Sequence, residues 1–252
     1  MPSRVIHVVG DRFVGFAHGN PEVITISELE RQLEAGELRG ELDIIVGQGL
    51  QADRLQRLQA HAAAPGNAAR MTVHVAGSTE RAERPLTHKH FEQNVMISMP
   101  VQVGEHRYEA NLLLDDRCAE MGDHVTGRHV QGMVLAEAAR QLAVAVVEHF
   151  YLRRPEAGPS RAFVLSKLDI NYHSFAFPVS TRLECNVLER KTGRRNALPN
   201  EVEVCIYQGG ELIVDGRARI EAYDAGFMRT VEAERARRML TKVTPMLARE
   251  QG

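Results

Sequence analysis

The chain has 252 residues, 44% hydrophobic and 25% charged, which suits one large soluble domain or two smaller ones. A formal net charge of −2 with no block of like charge excludes a nucleic-acid partner or an anionic membrane surface held mainly by charge. The opening Met-Pro-Ser-Arg-Val-Ile-His lacks the apolar run of a signal peptide, and the stretch Leu142 to Val147 is too short to span a bilayer, so a cytoplasmic protein is expected.

The three cysteines, Cys118, Cys185 and Cys205, are scattered and odd in number, which suits neither a metal site nor a disulfide framework. No metal and no cofactor are expected.

Residues 1–77 read as a small α/β unit. Val5 to Val9 and Phe13 to Phe16 read as strands about the turn pair Gly10-Asp11. Ser27 and Glu30 form a capping box before Leu29 and Leu33, and Gly36 stops that helix. Leu42 to Val46 suits a buried strand, Ala52 to about Ala63 a second helix, and Met71 to Val75 another strand. Gly47-Gln48-Gly49-Leu50-Gln51-Ala52 fits a G-x-G-x-x-A pattern between strand and helix. The next strand leads into Ala76-Gly77-Ser78 with no acidic residue to hold a ribose, and a tight strand–helix turn is the better reading.

Residues 78–85 read as a linker, and 86–223 follow a different plan. Two strand-like runs, Asn94 to Val103 and Arg107 to Leu114, precede a loop from Asp115 to Gln131. A helix from about Gly132 to Leu152 is apolar on nearly every side, so it is expected to be buried. Four more strands follow, Ala162 to Tyr172, Thr181 to Glu189, Glu201 to Tyr207 and Glu211 to Tyr223, with a hairpin signal at Gly209-Gly210. Residues 224–252 supply an amphipathic helix, Phe227 to Leu247, which Pro245 is expected to break in its last turn.

Glu137, Arg140 and Gln141 stand at i, i+3 and i+4 within the buried helix, on one side of it. One reading is a Glu137–Arg140 ion pair capped by Gln141. The other is an acid/base carboxylate lining a cavity, with Arg140 as partner to an anion. Upstream, His124 and His129 crowd the approach to the helix start, where Gly132 and Met133 carry the first unpaired N–H groups, suited to polarising a thioester oxygen.

His88-Lys89, Val95-Met96-Ile97-Ser98, Asp123-His124, His129-Val130-Gln131-Gly132-Met133 and Glu137-Ala138-Ala139-Arg140-Gln141 together resemble successive motifs of the A-factor biosynthesis (AfsA-type) hotdog family. The resemblance covers about Leu86 to Tyr223 and includes Asp169 to His173. It implies an α+β hotdog fold, a curved antiparallel sheet round one buried helix, here preceded by the small α/β unit. It also implies condensation of a β-ketoacyl thioester, on acyl carrier protein or coenzyme A, with the hydroxyl of dihydroxyacetone phosphate, toward γ-butyrolactone or butenolide signals. The catalytic set expected is Glu137, Arg140 and His124. The substrate contacts expected are His129, Gly132, Met133, Gln141 and Lys89, with Arg140 or Lys89 on the phosphate.

Three departures stand out. Only one hotdog repeat is present where the family usually has two, Gln131 replaces a proline, and the interval between the histidines is one residue longer. The single repeat implies a homodimer. A 3-hydroxyacyl-thioester dehydratase is the alternative enzyme, and a non-catalytic module binding an acyl ligand or carrier protein is the alternative outside catalysis.

Overall fold

The computed structural model describes residues 3–122, 127–152, 161–190 and 197–250. Its first unit is a parallel sheet, β1 (Arg4–Val9), β2 (Val23–Thr25), β3 (Leu42–Val46) and β4 (Met71–His74), in the order β2-β1-β3-β4. Parallel neighbours need a crossover, and α1 (Val14–Gly19), α2 (Ile26–Glu34) and α3 (Ala52–Ala63) supply them. Ile6, Val8 and Ile44 pack with Leu29 and Leu58 in one apolar cluster.

Two local expectations fail here. Phe13 to Phe16 is not a strand, because the return from β1 to a parallel β2 requires the helical crossover that α1 provides. Thr25, not Ser27, caps α2, accepting from the Glu28 N–H at 3.4 Å, while the Ser27 hydroxyl donates to Asp11 Oδ2 at 2.6 Å.

The second unit is an antiparallel sheet in the order β5-β6-β8-β9-β10-β7. Its strands are β5 (Val101–Gln102), β6 (Arg107–Asn111), β7 (Arg161–Tyr172), β8 (Arg182–Arg190), β9 (Ala197–Gln208) and β10 (Glu211–Asp224). Leu183, Cys185, Val202, Val204, Ile206, Ala218 and Ile220 alternate inward from β8, β9 and β10. They close on α5 (Gly132–Val146), whose Ala138, Leu142, Ala143 and Ala145 are wholly buried. This is a hotdog fold. The β9–β10 turn uses Gly209 and Gly210, both at positive φ, as a two-residue hairpin requires.

The strand expected over Asn94 to Val103 is mostly absent. The Met96 N–H is given to the Gln141 side chain at 2.9 Å instead of a neighbouring strand, leaving only β5 and single bridges at Ile97 and Ser98. The stretch read as a linker is built in: Arg81 bridges Ser98, Ala82 is buried, and α4 (Arg84–Thr87) packs on α5. The central helix loses α geometry after Val146 and finishes as a π turn, Val147–Tyr151. The last helix, α6 (Ala225–Glu250), runs past Pro245, so one lost backbone bond does not end it.

The glycine pattern at 47–52 is where the two units meet. The Gln48 side chain donates to the carbonyls of Leu112 (2.9 Å) and Val179 (3.3 Å) and accepts from the Leu114 N–H (2.9 Å). A Cβ on Gly47 would strike the Pro178 carbonyl, and one on Gly49, at φ +91°, would meet Asp116 Oδ1 at 2.8 Å. These glycines let two backbones approach.

Candidate functional site

Residues 133, 137 and 140 form one stripe of α5, at i, i+4 and i+7. Met133, at its head, is 74% exposed. Glu137 and Arg140 below it are largely enclosed, because α4 and the chain after it lie over that stripe. Arg140 grips the carboxylate with both arms of its fork, Nε to Oε2 and Nη2 to Oε1, each at 2.7 Å. Lys89 approaches from the other side, its Nζ 2.7 Å from Glu137 Oε1 and 2.5 Å from Glu120 Oε1. Burial alone would raise the Glu137 pKa, but the hydrogen bonds from Arg140, Lys89 and Gln141 outweigh it and hold the carboxyl at about 2. Glu137 is therefore ionised at neutral pH.

The frame round this cluster is tightly tied. Arg140 Nη2 also donates to the Thr87 carbonyl at 3.0 Å. His88 takes the left-handed conformation, φ 56°, unusual for a residue with a Cβ, and so turns Lys89 back toward α5. Its ring sits 3.3 Å from Glu148 Oε2 and edge-on to Phe163. Two groups are left over for a ligand. Among the described residues, Arg140 Nη1 and one N–H of Lys89 have no hydrogen-bond partner, and Arg140 Nη1 is not sealed from solvent.

Gln141, expected among the substrate contacts, is completely buried. Its Nε2 donates to the Asn94 carbonyl (2.9 Å) and to Glu137 Oε1 (3.1 Å), while its Oε1 accepts from Met96 N–H. No face of it is open, so its place corrects that expectation: it pins helix to chain and helps orient Glu137.

The head of α5 opens on a second feature, a cavity of about 530 Å³ lined by His129, Val130, Gly132, Leu135, Tyr172, His173, Ser174, Phe175 and Ala176. Gly132 is dictated by packing, since a Cβ there would lie 3.0 Å from the Tyr172 ring. The Tyr172 hydroxyl donates to the Gly132 carbonyl at 2.7 Å. His173 pairs through Nε2 with Asp215 on β10. The cavity and the Glu137 cluster sit on different sides of α5. Gly132 and Glu137 are separated by about 7.5 Å of rise and about 140° of turn. His129 and Gly132 are thus together, Lys89, Glu137, Arg140 and Gln141 are together, and Met133 stands on the open stripe between. His124 lies outside the described residues.

Reading the sequence missed Glu120, Thr87, and the His173–Asp215 pair. The only available signal was His173 at the end of a strand. Cys118 is buried, and desolvation with a hydrogen bond to Glu120 pushes its thiol up to about 12, which leaves no thiolate for nucleophilic work. Among the described residues no group of His, Cys, Asp or Glu is arranged to hold a metal, and no helix is long and apolar enough to cross a membrane.

The family profile for AfsA, the A-factor biosynthesis hotdog domain, matches residues 71–224. No curated protein sequence is detectably similar to the chain. Among solved structures, it is similar to the dehydratase heterocomplex ApeI:P of Xenorhabdus doucetiae, at 14% identity and a TM-score of 0.45 over 62% of this chain and 98% of that one. It is also similar to Cj0977, a sigma28-regulated virulence protein of Campylobacter jejuni, at 14% identity and a TM-score of 0.40 over 55% and 92%. A thioesterase of Pseudomonas aeruginosa is similar at 11% identity, with a TM-score of 0.37 over 50% and 81%.

Proposed function

Because the chain belongs to the A-factor biosynthesis hotdog family, we propose that it processes an acyl thioester, joining a carrier-bound β-ketoacyl group to the hydroxyl of dihydroxyacetone phosphate. The observation that carries this reading is the convergence of Lys89 and Arg140 on Glu137, with Arg140 Nη1 and one Lys89 N–H still unengaged beside an ionised carboxylate.

The phosphate would take those free donors. In doing so it draws on the same two cations that depress Glu137, and the carboxylate's affinity for a proton rises. The substrate hydroxyl then attacks the thioester carbonyl, its proton passes to Glu137, and the C–S bond breaks. The carrier's thiolate leaves and recovers the proton. The acyl chain would lie along the stripe of α5 that carries Glu137, where the exposed Met133 offers it an apolar contact.

A homodimer belongs to the same proposal. Among the described residues β7 pairs only with β10, which leaves its other edge open over twelve residues carrying exposed Leu165, Leu168 and Tyr172. The second reading, dehydration of a 3-hydroxyacyl thioester, draws on His129 and the Asp215-held His173 lining one apolar cavity. Incubating the wild-type protein with a β-ketoacyl carrier protein and dihydroxyacetone phosphate, and separately with a 3-hydroxyacyl thioester, tests both. The ester product supports condensation; an enoyl thioester alone replaces it with dehydration.

A further inference from the structure

A second cavity, about 190 Å³, lies where the carboxyl ends of β3 and β4 meet the hotdog unit. That is the end of a parallel sheet at which α/β proteins place their ligands. The face of α3 carrying Ala52, Leu55, Gln56 and Gln59 is turned into it, and Arg81 is the one ionisable residue in its wall.

Arg81 is unusual in its partners. Its Nη1 donates to the carbonyls of Val95 and Leu113, the latter at 2.5 Å. Among the described residues it makes no ion pair, because the neighbouring carboxylate of Asp115 is taken by Arg117 Nε at 3.0 Å and Nη2 at 2.9 Å. Its Nε and Nη2 have no hydrogen-bond partner there either, and neither is sealed from solvent. A half-buried guanidinium is costly to leave uncompensated. Thr79, Gln56, Gln59, Asn111 and Ser180 complete a polar wall that holds no carboxylate. The volume is below that of a site for a drug-sized molecule, and suits a small ion.

We propose that this cavity is a binding site for a small phosphate-type oxyanion, held by Arg81 Nε and Nη2, either as free phosphate or as the headgroup of a small phosphate monoester. The site shares no residue with the Glu137 cluster and lies at the seam of the α/β unit and the hotdog.

Isothermal titration calorimetry on the full chain tests it with inorganic phosphate, glycerol 3-phosphate and glycerol. Saturable binding of inorganic phosphate is expected, with no heat from glycerol. Tighter binding of glycerol 3-phosphate would identify a monoester as the ligand, and equal or weaker binding would identify the free ion. Arg81→Gln should weaken binding at least tenfold in an Arg140→Gln background, which removes the phosphate contact proposed beside Glu137. Should Arg81→Gln fail to fold, Ala76→Leu fills the exposed edge of the cavity without touching Arg81 and should also abolish binding. Absence of saturable binding up to about 10 mM, where an interaction is weaker than about 3 kcal/mol, overturns the proposal. So does phosphate affinity that survives both changes at the cavity in the Arg140→Gln background, or that is lost entirely with Arg140→Gln alone.

Discussion

Lys89 Nζ lies 2.7 Å from Glu137 Oε1, joining the loop after α4 to the middle of the buried helix. With Arg140 on both oxygens, Glu137 is an anion under two cations, and Glu120 balances the second charge. A group so held is a poor proton acceptor until something takes the cations from it. The proposed chemistry rests on that tension.

Gln141 fixes the geometry. Gln141→Leu would strand the Met96 N–H and the Asn94 carbonyl in a dry interior and remove one of the donors to Glu137. A loss of roughly 3 kcal/mol or more is expected, since each buried orphan costs about 1–3 kcal/mol. Urea unfolding should show it as a lowered midpoint with an unchanged slope.

The contact between the units depends on small residues. Gly47→Ala would press a methyl group on the Pro178 carbonyl, backbone against backbone, with no side chain free to yield. We expect a loss of more than about 1 kcal/mol, as for other overpacked sites, and faster proteolysis near residues 77–85. A thermal melt indistinguishable from wild type would show that the units are not held as described.

Asp116 makes stability depend on pH with the sign opposite to that of a salt-bridged acid. Burial, the largest influence, lifts its pKa from 3.8 to about 6, and its Oδ1 is buried without a partner among the described residues. Asp11 nearby adds to the rise, while the Asp11 and Arg12 backbone N–H groups and the Arg12 charge oppose it. The folded state binds this proton more tightly than the unfolded chain, so the stabilisation is complete below 3.8 and lost as pH rises through about 6. Asp116→Asn should therefore gain on the wild type as pH goes from 4 to 8, in melting temperatures taken across that range. A difference constant with pH would refute the assignment.

The open edge of β7 calls for a second copy. Multi-angle light scattering should give twice the 28.1 kDa chain mass at micromolar concentration, and Leu165→Lys with Leu168→Lys should halve it. A monomeric wild type would remove the dimer from the account.

The hotdog plan was legible because α5 is apolar on all sides and the strands from β8 onward alternate, two signals that tertiary contacts reinforce. The Glu137–Arg140 pair was legible from its spacing. Lys89 was flagged by resemblance, but its contact with Glu137 was not, since nothing in a sequence tells that His88 takes a left-handed turn. The stretch from Asn94 misled because an apolar run looks like a strand whichever group its N–H bonds, and here Met96 bonds a side chain. Phe13 to Phe16 misled for a similar reason: a short apolar run fits helix and strand alike, and the parallel register of β1 and β2 decides it. The glycines at 47 and 49 carried a real signal, but for the approach of a second unit's backbone.

The most direct test is turnover by Glu137→Gln, measured per folded molecule with a β-ketoacyl carrier protein and dihydroxyacetone phosphate. The amide keeps the shape of the side chain and can still accept from Arg140, and a thermal melt checks that the fold survives. If Glu137 takes the hydroxyl proton, product formation falls by about two to four orders of magnitude, the usual worth of a positioned proton-transfer group. A folded Glu137→Gln protein that turns over as fast as wild type would contradict the account, leaving Glu137 as an ion-pair anchor for Lys89 and Arg140 and nothing more.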